Sequence, residues 1–245
     1  MKYNVTHSLG FNNTEKPISG ELTTVSNHDK MKQKRTEIDM SLILAVKCID
    51  GIVFCADSKG TRFDIGKEAY YHEEGRIITK VFNADTFIFG TFGINELVKN
   101  GVRYKIEDVI QRIMTKKPSS ASAFCELMRK EALQLSESFA SGQFRLNFVF
   151  GYKDSNGFGY TIRFVELANE QQYDKHSFYN PNDYAMCFGA SEFISSSFCN
   201  AVKNGMTVDE AASLLPGIME ALVYIGDSLL KYNPIGLPCK VVKLS

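Results

Sequence analysis

Features that would assign a function at once are missing from this 245-residue sequence. Acidic and basic residues balance, with 28 of each, so the composition favours neither a nucleic-acid-binding nor a membrane-surface protein. No apolar run is long enough to span a bilayer, and the N-terminus lacks the apolar core of a signal peptide. The six cysteines include no Cys-x-x-Cys pair, which indicates reduced thiols rather than a disulfide framework. We therefore expect a cytoplasmic protein that binds neither nucleic acid nor a membrane.

Common catalytic and ligand-binding motifs are absent as well. His72 and His176 are the only histidines in the sequence beyond residue 40, and neither belongs to a metal-ligand pattern. No Gly-x-Ser-x-Gly sequence marks a nucleophile elbow, and Gly90 and Gly93 do not form a nucleotide-binding loop. We expect no metal and no cofactor.

The composition changes near residue 40. Residues 1–40 are rich in Asn, Thr, Ser and Lys and show no sustained periodicity, which indicates a disordered tail or a propeptide. Residues 41–245 contain the periodic apolar segments, and their number suits one domain with a sizeable core.

The segment 41–61 predicts a β-hairpin around the turn at Asp50-Gly51. Both flanking runs are apolar on both faces, so the sheet should be covered on both sides. We favour a three-residue loop in which Gly51 takes the left-handed conformation. That register places Asp57 beside Ile43, on the same face as Ser41. A two-residue loop would instead put Asp57 on the opposite face.

The remaining pattern predicts a mixed α+β protein. Residues 62–75 are predicted as a polar loop, 76–82 and 86–92 as a second hairpin, and the stretch after Gly93 as helical. Helices follow, one of them capped by Ser119 or Ser120, then three strands, two helices and a closing strand. Runs of strands and runs of helices favour two mainly antiparallel sheets packed face to face with helices outside, a four-layer αββα sandwich.

Several of these residues resemble one family. Asp-Ser-Lys-Gly-Thr at 57–61 resembles the Asp-Ser-Arg-Ala-Thr of proteasome-type β subunits, which are N-terminal-nucleophile hydrolases. Lys80 lies ten residues before Gly90-Thr91-Phe92-Gly93, which is the spacing of the family lysine. Counting back from Asp57 by the family spacing gives Ser41, where catalytic subunits have their N-terminal threonine. The segment 235–242 is also similar to the last strand of bacterial proteasome-like proteins. The resemblance covers residues 41–245.

This resemblance implies a peptidase with Ser41 as an N-terminal nucleophile after removal of residues 1–40. A serine hydroxyl needs a base, and the α-amine of a terminal serine, with an ordinary pKa of roughly 8, supplies one. The Lys80 cation would lower the pKa of that amine, and the Asp57 carboxylate would keep the lysine charged.

Further residues receive roles through the same resemblance. The backbone N–H of Gly93 or Ile94 would stabilise the oxyanion. Thr61 would pair with the backbone of an extended peptide, and Phe92 would narrow the pocket for the residue before the scissile bond. Candidate supporting residues are Ser191 and Asp227.

The implied substrate is a peptide or an unfolded protein, and the implied assembly is a homo-oligomeric ring with an ATP-dependent unfoldase as a candidate partner. Two alternatives stay open. One is a non-catalytic ring subunit whose Ser41 is never freed, and the other is an amidase or transpeptidase of the same superfamily with a narrow substrate. Met40 offers a second route to a free amine, because translation from Met40 and removal of that methionine would expose Ser41.

Overall fold

The computed structural model describes residues 41–64, 69–157, 159–170, 175–178, 184–189, 192–229, 233 and 235–245. All of the described residues belong to one compact unit, which lies within Arg35–Ser245. The expected tail or propeptide, residues 1–40, and the candidate Ser191 lie outside the described residues.

Strands and helices alternate in runs along the described part of the chain. The first run of strands is β1 (Ile43–Lys47), β2 (Ile52–Asp57), β3 (Lys59–Asp64), β4 (Ala69–Ile77), β5 (Val81–Asn83), β6 (Phe87–Phe92), β7 (Glu96–Lys99) and β8 (Val102–Lys105). Three helices follow, α1 (Ile106–Met114), α2 (Ala121–Leu135) and α3 (Glu137–Ala140). The chain continues with β9 (Leu146–Lys153), β10 (Tyr160–Leu167), β11 (Lys175–Phe178), β12 (Ala185–Phe188), α4 (Glu192–Ala201), α5 (Val208–Leu229) and β13 (Cys239–Leu244). The predicted α+β class is confirmed.

Two antiparallel sheets form the centre of the fold. One has the strand order β12-β1-β2-β13, and the other has the order β11-β10-β9-β6-β5. The pairs β3-β4 and β7-β8 form two further sheets of two strands each. In the first sheet, the late strands β12 and β13 pair with the two sides of the β1-β2 hairpin and form the sheet edges. In the second sheet, the long-range pair is β6-β9, which lies in the sheet interior.

Three apolar clusters give the layer order. Between the sheets, one cluster joins residues of β1 and β2 to residues of β6, β9 and β10, among them Ile43, Phe54, Ile88, Val149 and Ile162. The outer face of the first sheet packs on α4 and α5, and the outer face of the second packs on α1, α2 and α3. Both faces of the central strands are therefore buried, which explains why their sequences are apolar throughout.

The loop of the first hairpin differs from the prediction. Ile43 pairs with Ala56 and Lys47 with Ile52, and the Cys48 N–H donates to the Gly51 carbonyl at 2.8 Å. The loop therefore consists of the two residues Ile49 and Asp50, and the predicted three-residue loop was wrong. Gly51 does not adopt a positive φ. A Cβ there would lie 2.1 Å from the Leu244 carbonyl oxygen, so this glycine permits a close approach of strands rather than a left-handed turn.

Other parts of the predicted element order were wrong as well. Residues predicted as a polar loop at 62–75 contribute to the β3-β4 hairpin, where backbone pairing needs no apolar pattern. The stretch after Gly93 was predicted as helical through Ile113, with a break near Gly101. Its first part is instead the β7-β8 hairpin, which turns at Asn100-Gly101 with φ of +50° and +77°, and its second part is helical as predicted, in α1. Asn-Gly is the turn sequence that such hairpins prefer. Lys80, predicted inside a strand, lies between β4 and β5.

Local signals for helix starts were accurate. The Ser120 side chain accepts a hydrogen bond of 3.2 Å from the Ala123 N–H, as the predicted cap requires. Thr207 and Glu210 bond reciprocally at the start of α5. Among the described residues, no helix is both long and apolar enough to cross a membrane.

Candidate active site

A buried ion pair lies at the end of β2. Lys80 Nζ is 2.8 Å from Asp57 Oδ1, and the side chains are 1% and 0% exposed. Lys80 reaches Asp57 from the segment between β4 and β5. Two charges removed from water in this way need each other, because either one alone would bear the full cost of desolvation.

Backbone N–H groups complete the surroundings of Asp57. Oδ1 also accepts a hydrogen bond from the Leu42 N–H at 2.8 Å. Oδ2 accepts from the N–H groups of Lys59 at 3.2 Å and Gly236 at 3.4 Å. Each carboxylate oxygen thus has two donors, an arrangement suited to the ionised form, which accepts hydrogen bonds without donating any.

Ser41 precedes β1 and is 1% exposed. Its Oγ is buried and has no hydrogen-bond partner within the described residues. A buried hydroxyl without a hydrogen-bond partner is uncommon in a folded protein and needs an explanation. A catalytic role, in which the hydroxyl bonds another group only during the reaction, is one such explanation.

The position of Ser41 is fixed through its neighbour Leu42. Besides the bond from the Leu42 N–H, the Leu42 carbonyl accepts from the Asp57 N–H at 3.1 Å. The prediction that Asp57 shares a face with Ser41 was wrong, because the two-residue loop shifts the register by one. Asp57 therefore contacts the backbone beside Ser41 rather than the Ser41 side chain.

Gly189 closes the other side of Ser41. It has a φ of +78°, and a Cβ at this position would lie 2.0 Å from the Ser41 carbonyl oxygen. The same Cβ would lie 3.6 Å from the Phe92 Cβ, so Phe92 and Ser41 flank this glycine. Both the backbone conformation and the space require glycine here.

Two of the three predicted substrate-side residues, Phe92 and Gly93, lie at the end of β6. Phe92 packs against Phe164 and Phe188, with ring centroids 5.7 and 6.0 Å apart. Gly93 follows with a φ of +92° and lies beside the amide of Asn147. Thr61 lies in β3, and its side chain is not among the described parts of the structure.

Asp227 does not contact the ion pair directly. Its Oδ1 accepts a hydrogen bond of 2.9 Å from Asn233 Nδ2, at the end of α5. The predicted supporting role of Asp227 therefore stays a prediction. The other predicted roles in catalysis and substrate binding stay predictions too, those of Ser41, Asp57, Lys80, Gly93, Thr61 and Phe92.

Lys59 adds a second cation beside Asp57. Burial lowers the pKa of Lys59, the carboxylates of Asp227 and Asp57 act in the opposite direction, and Lys80 lowers it further.

Within the described ranges, no group of three or more His, Cys, Asp or Glu side chains is arranged to hold a metal ion.

Sequence reasoning missed Lys59, Asn233, Gly236 and Gly189 as neighbours of the site. Their contacts join residues far apart in the chain, such as Gly236 and Asp57, which are 179 positions apart. Only the similarity of segment 235–242 to a family strand pointed toward this region, and it gave no partner for Asp57.

Comparison with solved structures gives matches at low identity. A mutant of Anbu from Hyphomicrobium sp. strain MC1 is 14% identical with a TM-score of 0.47, and the match covers 83% of this chain and 81% of that one. Anbu from Yersinia bercovieri, described as an ancestral beta-subunit, is 13% identical with a TM-score of 0.49, and the match covers 82% and 80%. No family model matches the chain, and no curated protein matches it.

These comparisons correct the sequence-based family assignment. The recognition of the chain as a proteasome-type β subunit was wrong as an assignment, because no family model matches it. The resemblance consists of short motifs and two spacings, and such features can agree where the overall sequence does not. What the chain does must therefore be inferred from Ser41, Asp57 and Lys80 themselves.

Proposed function

We propose that this chain hydrolyses peptide bonds with Ser41 as an N-terminal nucleophile, after residues 1–40 are removed. The observation that carries the proposal is the buried, unpartnered Ser41 Oγ, one residue from the backbone N–H that binds the Asp57–Lys80 ion pair. This combination supplies a hydroxyl, a cation and a counter-charge in a region shielded from water.

Removal of residues 1–40 supplies the base. While Met40 is attached, the Ser41 nitrogen is an amide and cannot accept a proton. Once freed, the neutral α-amine takes the proton of Oγ as Oγ attacks the substrate carbonyl carbon. The protonated amine then gives its proton to the leaving nitrogen, and an acyl ester forms on Ser41. Water hydrolyses this ester and restores both groups.

Lys80 and Asp57 set the electrostatics of these steps. The Lys80 ammonium favours the neutral amine and stabilises negative charge that develops near Oγ, and Asp57 compensates its burial. The Gly93 N–H is our candidate donor to the oxyanion, because Gly93 follows Phe92 at the end of β6. The rings of Phe92, Phe164 and Phe188 offer an apolar wall for a substrate side chain.

The test combines intact mass with peptide turnover. We expect purified, active protein to begin at Ser41 and to cleave unstructured peptides. Ser41→Ala should lower kcat/KM by at least about a hundredfold, whereas Ser41→Thr should retain activity. Ser213→Ala is the matched control, since the Ser213 hydroxyl donates to the Asp209 carbonyl of its own helix at 2.8 Å, and it should leave turnover unchanged. Turnover that survives Ser41→Ala would overturn the proposal.

The burial of Ser41 favours a second candidate, a structural subunit whose Ser41 is never freed. While Met40 remains attached, Ser41 is 1% exposed and is not accessible to a substrate. Protein that keeps residues 1–40 in assembled particles and shows no turnover would establish this candidate. Turnover limited to one small amide would instead indicate an amidase or transpeptidase.

Mass photometry of the same sample tests the proposed homo-oligomeric ring.

A further inference from the structure

Asn233 occupies a buried position between α5 and the segment that follows it. Its Nδ2 donates to the Val223 carbonyl at 2.8 Å and to Asp227 Oδ1 at 2.9 Å. Its Oδ1 accepts from the Ile235 N–H at 3.2 Å. Because the residue is 6% exposed, water does not compete well for these bonds. The Asn233 side chain thus attaches its own backbone and Ile235 to α5.

The same segment contacts Asp57 by two routes. The Gly236 N–H donates to Asp57 Oδ2 at 3.4 Å, and the Gly236 carbonyl accepts from the Ser58 N–H at 3.3 Å. The Asn233 carbonyl accepts from Lys59 Nζ at 3.0 Å, and the Lys59 N–H donates to Asp57 Oδ2. Both donors to this carboxylate oxygen therefore belong to residues tied to Asn233, Lys59 through the Asn233 backbone carbonyl and Gly236 through its neighbour Ile235, whose N–H bonds the Asn233 side chain.

Two glycines show how tightly this arrangement is packed. A Cβ on Gly226 would lie 2.7 Å from the Asn233 side chain, and a Cβ on Gly236 would lie 2.6 Å from Lys59 Cδ. Side chains at these positions would displace Asn233 and Lys59. The close approach therefore restricts both residues to the observed positions.

Charge links this arrangement to the proposed reaction. The charged groups that face Lys59 are Asp227, Asp57 and Lys80. With Lys59 held in place, the group has two positive and two negative charges. If Lys59 moved into solvent, one positive charge near the site would be lost to screening by water.

We propose that Asn233 is a positioning residue that holds Lys59 and the Gly236 N–H against the Asp57 carboxylate. This proposal rests on the proposed function, because its effect is on the Ser41 α-amine. Losing a nearby positive charge raises the pKa of that amine, so less of the amine is neutral at a given pH. Asp227, which sequence analysis placed in a supporting role, would act on the site only through Asn233 and Lys59.

The experiment measures kcat, KM and the pH profile of peptide cleavage in the active protein. The variants are Asn233→Ala, Lys59→Met and the double variant, with Lys59→Arg to restore the charge. Two matched controls remove similar bonds elsewhere. Asn169 donates to the Ala140 carbonyl at 3.1 Å, and Lys99 donates to the Gln134 carbonyl at 2.7 Å. Asn169→Ala and Lys99→Met should leave the kinetics unchanged.

We expect Asn233→Ala to lower kcat about threefold at pH values on the acid limb, with little change in KM, because half a unit in the pKa of the amine changes its neutral fraction by about that factor. The acid limb of kcat/KM should move to higher pH by roughly half a unit. Lys59→Met should move it in the same direction, the double variant should move it no further, and Lys59→Arg should keep the parent profile.

Each contrary result overturns a different statement. An inactive parent overturns the proposed function and this inference with it. An active parent whose Asn233→Ala variant keeps the parent acid limb, even with a lower urea midpoint, overturns this inference alone, because Asn233 would then stabilise the fold without acting on the site. Additive shifts in the double variant would also overturn it, since they would show that Lys59 does not depend on Asn233.

Discussion

The burial of the Asp57–Lys80 ion pair predicts a large coupling between the two side chains. Asp57→Asn leaves the Lys80 ammonium, 1% exposed, without its counter-charge, and turns an amide NH2 group toward N–H donors. We expect a loss of about 3–5 kcal/mol in the free energy of unfolding. Lys80→Met removes the cation and leaves Asp57 its three backbone donors, so about 2–3 kcal/mol should be lost.

The double variant distinguishes pairing from general disruption. Once Asp57 is neutral, replacing Lys80 removes an uncompensated buried charge, so the two losses should fall short of additivity by about 2 kcal/mol or more. Urea unfolding of the parent, the single variants and the double variant measures this coupling. The matched control is Lys243–Asp209, also at 2.8 Å but exposed at both side chains, where the coupling should be a small fraction of that value. Additive losses at Asp57 and Lys80 would refute the buried pair.

Two further predictions concern backbone space and pH. Gly189→Ala should cost well over about 1 kcal/mol and lower activity, because its Cβ would overlap the Ser41 carbonyl, whereas Gly205→Ala, at φ +84° with nothing within 4 Å, should cost only the backbone strain of roughly 1 kcal/mol. Equal losses in urea unfolding would contradict the close approach to Ser41. Burial raises the pKa of the Cys48 thiol to about 11, assisted by neighbouring carboxylates. The unfolded thiol releases its proton at lower pH than the folded one, so stability falls as pH rises from about 9 to 11. The stability of the parent relative to Cys48→Ala should therefore drop by about 2 kcal/mol between about pH 8 and about pH 10.5, and a constant difference in urea midpoints would contradict this.

Elements defined by local signals were predictable from the sequence. The apolar strands β2 and β6, the Ser120 cap and the box of Thr207 and Glu210 depend on residues close together in the chain. The β7-β8 hairpin also had a local signal in Asn100-Gly101, which the helical interpretation of the surrounding residues overlooked.

The register of the first hairpin depends on distant contacts and was not predictable in this way. Asp50 accepts a hydrogen bond of 2.8 Å from the Val208 N–H, 158 positions away, and Gly51 packs against Leu244. These contacts favour the two-residue loop over the one that glycine propensity suggests.

The candidate site shows the same division. The resemblance to proteasome-type β subunits selected Asp57 and Lys80, which the structure places in contact. The contacts of Asn233, Gly236 and Gly189 depend on how the end of the chain and the segment after β12 return to the start of β1. No periodicity in the sequence encodes these contacts, so only the folded structure reveals them.

The most direct test of the account is the intact mass of the purified protein after brief exposure to a peptide electrophile that acylates hydroxyl nucleophiles. The account predicts a chain that begins at Ser41 and gains one adduct, located on residue 41 and absent from Ser41→Ala. A chain that retains residues 1–40 while it cleaves peptides, or an adduct that persists in Ser41→Ala, would contradict the assignment of Ser41 as the nucleophile.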